Sequence, residues 1–428
     1  MLLPDKVSKG SPARLFPSLK RSNHERIAVS ILLASFRVIP ELLSELIYDI
    51  GIRMSSKKLP ETFTEVELAQ QLPDQNSQPD GFIYVRNRAT WQALVEAKVG
   101  ANKLDEEQTA RYLKLAKLNN IDALITISNE FTPRVEQSPL TLPKKLTNKV
   151  KLYHFSWRLI LTKANLMKYQ KKLRSSEEQF VLDELIRFLN DDFTGAAGFA
   201  QMPPCWKDVC EKVGVGDRIT QSDNSVVEVA KSLVEEFSEI ALIISDHLGV
   251  NCKVKLPRKF ISQERLWQDQ VVSRIAKSEP ISCSYLIPDA AGELKVKIDI
   301  KSSTIEVGME IEAPQDRGSK ARISWLAKQI MGSNNDNAFV KLRWNSRAPD
   351  DVVKADEFHS QASALPTQYS EIIAFTPFMR LQSPKTFRAN RKFIQEIEHL
   401  VIRYYDDYAQ HLKKWVAKAP APIKQNNE

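Results

Sequence analysis

The stretch from Gln78 to Tyr112 reads Q-P-D-G-F-I-Y-V-R-N-R-A-T-W-Q-A-L-V-E-A-K-V-G-A-N-K-L-D-E-E-Q-T-A-R-Y. It contains two runs rich in aromatic and aliphatic residues, Phe82 to Val85 and Trp91 to Val99, which predict two β-strands. Polar residues connect the runs and predict a turn near Arg88, and hence a hairpin. A helix is predicted from Leu104 to Asn119, with three acidic residues in its first turn, where the helix dipole favours negative charge.

Polar side chains are expected to converge at one end of this hairpin. With a regular turn, Asp80 lies roughly opposite residues 96–98 of the neighbouring strand. Glu96 and Lys98 are two residues apart, so both side chains leave the same face of the strand, whereas Ala97 points to the other face. The sequence therefore predicts two carboxylates and one ammonium group at a single place.

Such a group of side chains suits metal-assisted hydrolysis. Mg²⁺ prefers oxygen ligands and keeps several waters, and Asp80, Glu96 and the carbonyl of Ala97 could supply these ligands. Bound Mg²⁺ or Mn²⁺ would lower the pKa of a water and offset charge on a phosphate. Lys98 could orient that water or stabilise negative charge in the transition state.

The order P-D, fifteen residues, E-A-K and then Q-x-x-x-Y resembles the PD-(D/E)XK nuclease-like superfamily, including its RecB-type Q-x-x-x-Y variant. The resemblance implies an α/β domain with a mixed central sheet flanked by helices. It implies that Asp80 and Glu96 bind the metal and that Lys98 is the catalytic lysine. It also implies that Gln108 and Tyr112, which share one helical face, support the site or touch nucleic acid.

Further elements fit the same resemblance. The runs 123–128 and 149–157 are expected to be the next core strands, the second leading into a helix. The superfamily often places an acidic residue on a helix before the hairpin, and Glu25 is the candidate, although simple helix capping explains it as well. Glu65 and Glu67 share one face of another predicted strand, where they either meet solvent or join the metal site.

Plainer interpretations of these residues stay open. Asp80 stands between Pro79 and Gly81, which is ordinary turn chemistry. Glu96 and Lys98 could line the solvent face of an edge strand. Because fold does not determine function, the chain could also be a non-enzymatic nucleic-acid-binding or regulatory protein on a nuclease-like fold.

Length and composition predict two or three globular domains. The chain has 428 residues, of which 43% are hydrophobic and 27% charged, and its net charge of +8 suits a polyanionic partner such as DNA. The four cysteines are few and scattered, as expected of reduced thiols in a cytoplasmic protein. Neither a signal peptide nor a transmembrane helix is expected, so we predict no membrane partner.

Changes in sequence pattern predict the domain organisation. We expect the nuclease-like domain over residues 1–204, a helical connector over 205–280 and an α+β module over 281–428. The module alternates strictly in its strands and ends in a long helix, predicted over 386–418. We expect it to bind substrate, a partner protein or a second copy of the chain.

A basic surface in this module is the second predicted site. It would comprise Lys320, Arg322, Arg343 and Arg347, which lie close in sequence to two tryptophans. Cations beside aromatic groups are typical of nucleic-acid-binding surfaces. A solvated rim around a buried tryptophan explains the same residues equally well.

Several classes of enzyme are disfavoured. The histidines lack metal-ligand spacing, and the sequence contains no G-x-x-x-x-G-K-[ST], G-x-G-x-x-G or G-x-S-x-G motif. Proteins of the superfamily that this chain resembles often act in bacterial restriction, repair or antiviral defence. We therefore expect a Mg²⁺-dependent deoxyribonuclease.

Overall fold

The computed structural model describes residues 3–17, 24–54, 59–73, 78–86, 90–191, 194–196, 198, 200–261, 265–331, 336–345, 349–364 and 371–416. The chain divides into two compact units. The first unit comprises Met1–Ala200, Ala230–Asn251 and Pro257–Gln270, and the second comprises Gln201–Val229, Cys252–Leu256 and Val271–Glu428. The segment 205–280, predicted as a connector, therefore contributes residues to both units.

A six-stranded mixed sheet forms the centre of the first unit, with its strands in chain order. They are β1 Val7–Pro12, β2 Glu61–Leu68, β3 Gly81–Arg86, β4 Thr90–Ala97, β5 Ala123–Ser128 and β6 Lys151–Ser156. Neighbouring strands from β1 to β4 pair antiparallel, whereas β4, β5 and β6 pair parallel. The expected mixed sheet and the hairpin β3–β4 are thus confirmed, and the predicted turn at Arg88 lies outside the described residues.

Among the described residues before position 200, the helices are α1 His24–Val38, α2 Pro40–Tyr48, α3 Glu106–Leu118, α4 Lys144–Thr147, α5 Trp157–Tyr169 and α6 Ser176–Leu189. The side chains of Asp105, Ser156 and Ser175 cap α3, α5 and α6 by accepting hydrogen bonds from main-chain N–H groups of the first turn. Pro40 occupies the first turn of α2, where a missing N–H costs nothing.

The two faces of the sheet bury different helices. One face packs against α1, α2, α5 and α6, and its strand residues include Ala93, Val95 and Ala97. The opposite face packs against α3 and includes Phe82 and Leu94. Because strand side chains alternate between faces, the even-numbered residues of β4 point toward α3.

Gly81 allows α1 to pack closely on the hairpin. A Cβ atom at this position would lie 2.5 Å from Leu33 Cδ1, 3.1 Å from Val29 Cγ1 and 3.4 Å from the Phe63 carbonyl oxygen. No side chain larger than hydrogen fits without a shift of these groups. Since Gly81 follows Asp80, this packing also restrains the main chain beside the predicted site.

The second unit contains an eight-stranded antiparallel sheet. Its strands are β7 Lys253–Val254, β8 Ile281–Leu286, β9 Leu294–Asp299, β10 Thr304–Met309, β11 Ile311–Glu312, β12 Ala338–Trp344, β13 Asp351–Lys354 and β14 Ile372–Gln382. Their order in the sheet is β13-β12-β14-β10-β9-β8-β7, and β11 pairs with β14. In β8 and β9, buried residues alternate strictly with more exposed ones, as expected of strands with one face on the core.

The remaining helices are α7 Trp206–Val215, α8 Asn224–Leu248, α9 Arg258–Ile261, α10 Arg265–Ala276, α11 Ser319–Ile330, α12 Phe358–Ala364, α13 Pro384–Phe387 and α14 Asn390–Asp407. The terminal helix predicted over 386–418 is observed as α14, which is shorter than that prediction. Residues 417–418 lie outside the described residues. The apolar stripe of α14 is buried, and Tyr404 donates a 2.8 Å hydrogen bond to the Pro377 carbonyl within the same unit.

In the described part of the chain, no individual helix has both the length and the hydropathy needed to cross a membrane. Only α1 and α2 taken together pass that test, and they meet at a bend of 103°.

Replacement of Gly81 by alanine tests the close packing of α1. We expect Gly81→Ala to lower the free energy of unfolding by about 1–3 kcal/mol, the usual cost of forcing extra volume into a packed core. Gly10→Ala is the matched control, since its added Cβ would meet only ordinary contacts at 3.6 Å or more. Chemical denaturation measures both, and equal stability of the two variants would contradict this account of Gly81.

Candidate active site

The predicted polar residues meet where the hairpin β3–β4 ends. Gly81 pairs with Val95, and the same register continued by one residue puts Asp80 opposite Glu96. Asp80 Oδ2 accepts a 3.0 Å hydrogen bond from the main-chain N–H of Ala97. The end of the hairpin thus brings the two carboxyl groups to one place, on the face of the sheet that packs against α3.

Lys98 and Glu96 form a largely buried ion pair. Lys98 Nζ donates to Glu96 Oε1 at 2.7 Å, and the two side chains are 14% and 3% exposed. Glu96 Oε2 is also buried and accepts no hydrogen bond from an N–H or hydroxyl group of the described residues, while the Glu96 carboxyl group lies within hydrogen-bonding reach of the Asp80 carboxyl group. Burial lowers the pKa of Lys98, but its hydrogen bond to Glu96 and the nearby carboxylate charges outweigh burial, so the pKa is raised.

The two carboxyl groups are difficult to ionise together. Burial is the main reason why the pKa of Asp80 is raised, against the opposing hydrogen bond from Ala97. Burial, and next the charge of Asp80, raise the pKa of Glu96 to about 8. If both were ionised, one ammonium group would face two carboxylates. The pair therefore holds a proton near neutral pH unless a cation takes its place.

Tyr112 and Gln108 lie beside this pair. Gln108 Nε2 donates to Tyr112 Oη at 3.3 Å, and Tyr112 Oη donates to the main-chain carbonyl of Gln78 at 3.1 Å. Burial, followed by the charge of Glu96, raises the pKa of Tyr112 to about 12, so its hydroxyl stays protonated. The two helix residues therefore anchor the main chain two residues before Asp80.

Glu25, at the start of α1, faces the same site. Its negative charge raises the pKa of both Asp80 and Lys98, which requires its carboxylate to lie near them. Asn102 Nδ2 donates to Glu25 Oε1 at 3.1 Å. The structure thus brings Glu25 close to the carboxyl pair.

The two acids of β2 are held by basic residues. Glu65 Oε1 lies 3.5 Å from Arg26 Nη1, and Glu67 Oε1 lies 2.8 Å from Lys9 Nζ. Glu67 Oε1 also accepts a 2.6 Å hydrogen bond from Gln78 Nε2. Of these two acids, Glu67 is linked to the site through Gln78.

Three residues contact the site but were not assigned to it from the sequence: Gln78, Asn102 and Trp157. Trp157 Nε1 donates a 2.8 Å hydrogen bond to the carbonyl of Lys98. One sequence signal could have identified Trp157. Parallel strands end at the same edge of a sheet, Lys98 directly follows β4, and Trp157 directly follows β6, so the two residues are expected at the same edge. No comparable signal marked Gln78, whose contribution is a main-chain carbonyl.

One member of the predicted basic surface, Arg322, is buried. Arg322 is only 3% exposed, and its guanidinium donates to the carbonyls of Ile372 at 2.7 Å and Gln315 at 3.1 Å and to Glu371 Oε2 at 3.2 Å. The predicted role of Arg322 in binding nucleic acid is therefore corrected. It satisfies the buried carbonyl of Ile372 and two partly buried acceptors, Gln315 and Glu371.

The other three residues differ from one another. Lys320 is exposed, and Arg343 is exposed but pairs with Glu310 Oε2 at 2.9 Å. Arg347 lies outside the described residues. Trp344 is buried and donates to Asp351 Oδ2 at 2.8 Å, as the alternative of a solvated rim around a buried tryptophan predicts.

Two grooves in the described part of the chain do not include the carboxyl pair. The larger, about 1130 Å³, lies in the second unit over β8, β9, β10, β12 and β14, and both lysines and glutamates line it. The smaller, about 570 Å³, is lined by residues 13–16, 34, 37–38 and 59–61 of the first unit. None of the predicted catalytic residues lines either groove.

Removal of the Arg322 side chain tests whether it is structural. We expect Arg322→Leu to lower the free energy of unfolding by about 1–3 kcal/mol, the cost of leaving the buried Ile372 carbonyl without a donor. Lys320→Met, an exposed change on the same helix, should stay within about 0.5 kcal/mol of the wild type. Thermal and urea unfolding measure both, and an undiminished stability of Arg322→Leu would restore Arg322 as a candidate ligand-binding residue.

Comparisons with protein-family models, curated proteins and solved structures find no match to this chain.

Proposed function

We propose that the first unit is a metal-dependent nuclease of the PD-(D/E)XK type that hydrolyses phosphodiester bonds in DNA. The observation that carries this proposal is the buried carboxyl pair of Asp80 and Glu96, in which Glu96 Oε2 accepts no hydrogen bond from an N–H or hydroxyl group of the described residues. Carboxylate oxygens are the ligands that hard divalent cations prefer. A cation there would replace the proton that the pair otherwise needs.

Each residue then has a role. Asp80 and Glu96 would hold Mg²⁺ or Mn²⁺, with the carbonyl of Ala97 as the predicted third ligand and Glu25 nearby. The metal, when bound, supplies a water of lowered pKa and positive charge for the phosphate. Because the pKa of Lys98 is raised, its ammonium group stays charged at neutral pH. It therefore acts as a hydrogen-bond donor to water or phosphate and not as a general base.

Burial of the site favours a second candidate function. Asp80 is 8% exposed and Glu96 is 2% exposed, and Lys98 is already paired. Such a closed arrangement would also suit a non-enzymatic nucleic-acid-binding or regulatory protein whose buried ion pair is structural. The resemblance to nucleases of bacterial restriction, repair or antiviral defence supports the enzyme.

Cleavage assays separate the two functions. The purified chain, incubated with supercoiled plasmid or single-stranded DNA, should cut in Mg²⁺ or Mn²⁺ and not in EDTA. Asp80→Asn and Glu96→Gln keep side-chain size but remove metal-binding charge, so cleavage should fall to the level seen in EDTA. Glu65→Gln is the control, because Glu65 is an exposed acid of the same unit.

Full cleavage by both carboxamide variants would overturn the assignment of the site. A wild-type protein that binds DNA but never cuts it in any of these metals would favour the regulatory function.

Thermal unfolding in EDTA tests the carboxyl pair independently of cleavage. The pKa of Glu96 is raised to about 8 from 4.5, so between these values the folded chain holds a proton that the unfolded chain releases. That contribution to stability is complete below about pH 4.5 and is lost as the pH rises through about 8. The Tm of the wild type, relative to Glu96→Gln, should therefore fall from about pH 5 to about pH 9.

Excess Mg²⁺ should raise the wild-type Tm, and more strongly toward pH 8, because it competes with the proton. A difference in Tm between the two proteins that does not change with pH would contradict a buried, proton-holding pair.

A further inference from the structure

We propose that Trp157 is a positioning residue for Lys98, acting through the Lys98 main chain. This inference rests on the nuclease function proposed above. Trp157 is the first residue of α5, follows the capping Ser156, and is completely buried. Its indole N–H donates to the carbonyl oxygen of Lys98 at 2.8 Å, although 59 residues separate the two in the chain.

The hydrogen bond from Trp157 adds a second main-chain contact to Lys98 at the end of strand β4. Strand β4 ends at Ala97, so Lys98 lies just beyond its last residue. The N–H of Lys98 still donates to the Ile127 carbonyl of the parallel strand β5 at 2.8 Å. With Trp157 bound to the Lys98 carbonyl, both peptide groups that flank the Lys98 Cα atom have a hydrogen-bond partner. The direction of the Cα–Cβ bond is thereby restrained.

This restraint matters because lysine has a long, flexible side chain. Lys98 Nζ must reach Glu96 Oε1 while it faces the place where the phosphate would sit. In an enzyme site, misplacement of a group by about 1 Å can cost about 100-fold in rate. A main chain held on both sides of Cα reduces the positions that the ammonium group can occupy.

An indole is well suited to this task. Its ring supplies only a donor, so it cannot compete for the N–H of Lys98 or the ammonium group. A buried tryptophan N–H also needs an acceptor, which makes the contact with Lys98 favourable for folding as well. The ring itself belongs to the apolar core formed by α1, α2, α5 and α6 with the sheet.

A second set of hydrogen bonds restrains the main chain at Gly100, two residues after Lys98. Asn129 Nδ2 donates to the carbonyls of Gly100 and Thr194, each at 2.9 Å. Gly100 N–H donates to the same Thr194 carbonyl at 3.1 Å. The chain is therefore held at Gly100 as well as at Lys98, and the Trp157 hydrogen bond is the side-chain contact to the Lys98 main chain.

Substitution by phenylalanine tests the proposal. Trp157→Phe keeps an apolar ring but removes the donor, and we expect kcat to fall by about 10- to 100-fold. Mn²⁺ affinity, measured by calorimetry, should change less than about threefold, because the carboxyl pair is intact. Trp91→Phe is the control: Trp91 is also largely buried in the first unit, and its replacement should leave kcat unchanged.

A double-mutant cycle distinguishes positioning from a general loss of packing. If Trp157 acts through Lys98, Trp157→Phe should cause no further loss of kcat in a Lys98→Met background. A merely structural tryptophan would lower kcat by the same factor in both backgrounds, and that result would overturn the proposal. If Trp157→Phe does not fold, replacement of Trp157 by β-(3-benzothienyl)alanine, which exchanges the N–H for sulfur in a ring of the same shape, serves instead.

Amide hydrogen exchange provides a readout that does not depend on cleavage. Loss of the indole donor should speed exchange at the Lys98 N–H, while amides paired between β3 and β4 keep their wild-type rates. Unchanged exchange at Lys98 would contradict the positioning role even in an active enzyme. If the wild type cuts no DNA but exchange at Lys98 still responds, the nuclease function fails and the restraint on Lys98 stands.

Discussion

Two buried carboxyl groups and the single ammonium group paired with one of them constrain the protonation and the ligands of the candidate site. Asp80 and Glu96 lie in a region of low dielectric, where an unbalanced negative charge is expensive. Lys98 balances one carboxylate through a 2.7 Å contact. The other carboxyl group must hold a proton or bind another cation. The pH and the metal concentration are therefore both expected to affect the stability of the folded chain.

The mixed sheet of the first unit is what places this group. Strand β4 pairs antiparallel with β3 on one side and parallel with β5 on the other. The antiparallel neighbour brings the segment before β3, and with it Asp80, to the end of β4. The parallel neighbours end at the same edge, so the residues that follow β5 and β6 lie beside Lys98. The β3 side of β4 thus brings Asp80 to the site. The β5 and β6 side brings Asn129 and Trp157, which hold the main chain after β4.

The second unit shows why net charge is a weak guide to a binding surface. On its sheet, Lys297 and Arg380 both contact Glu306, and Arg343 contacts Glu310. Lys297 and Arg380 are balanced by an acid on the neighbouring strand, as is common for pairs across a sheet, and Arg343 by an acid between two strands. The excess of positive charge in the whole chain is therefore not concentrated on the residues that the sequence singled out.

The sequence by itself determined the features that depend on neighbours along the chain. Alternation predicted that Glu96 and Lys98 share a face, helical spacing predicted the pairing of Gln108 with Tyr112, and turn chemistry predicted a hairpin that brings Asp80 to them. Such features follow from backbone periodicity, which a few residues are enough to define.

Only the tertiary structure decided how deeply each charge is buried and which distant group it meets. Nothing local distinguishes the buried Arg322, whose guanidinium donates to the buried Ile372 carbonyl, from the exposed Lys320 two residues earlier. Likewise, the main-chain contacts of Gln78 with Tyr112 and of Lys98 with Trp157 join segments 34 and 59 residues apart. These contacts depend on how helices pack against both faces of the sheet, and packing is a property of the assembled core and not of any short stretch of sequence.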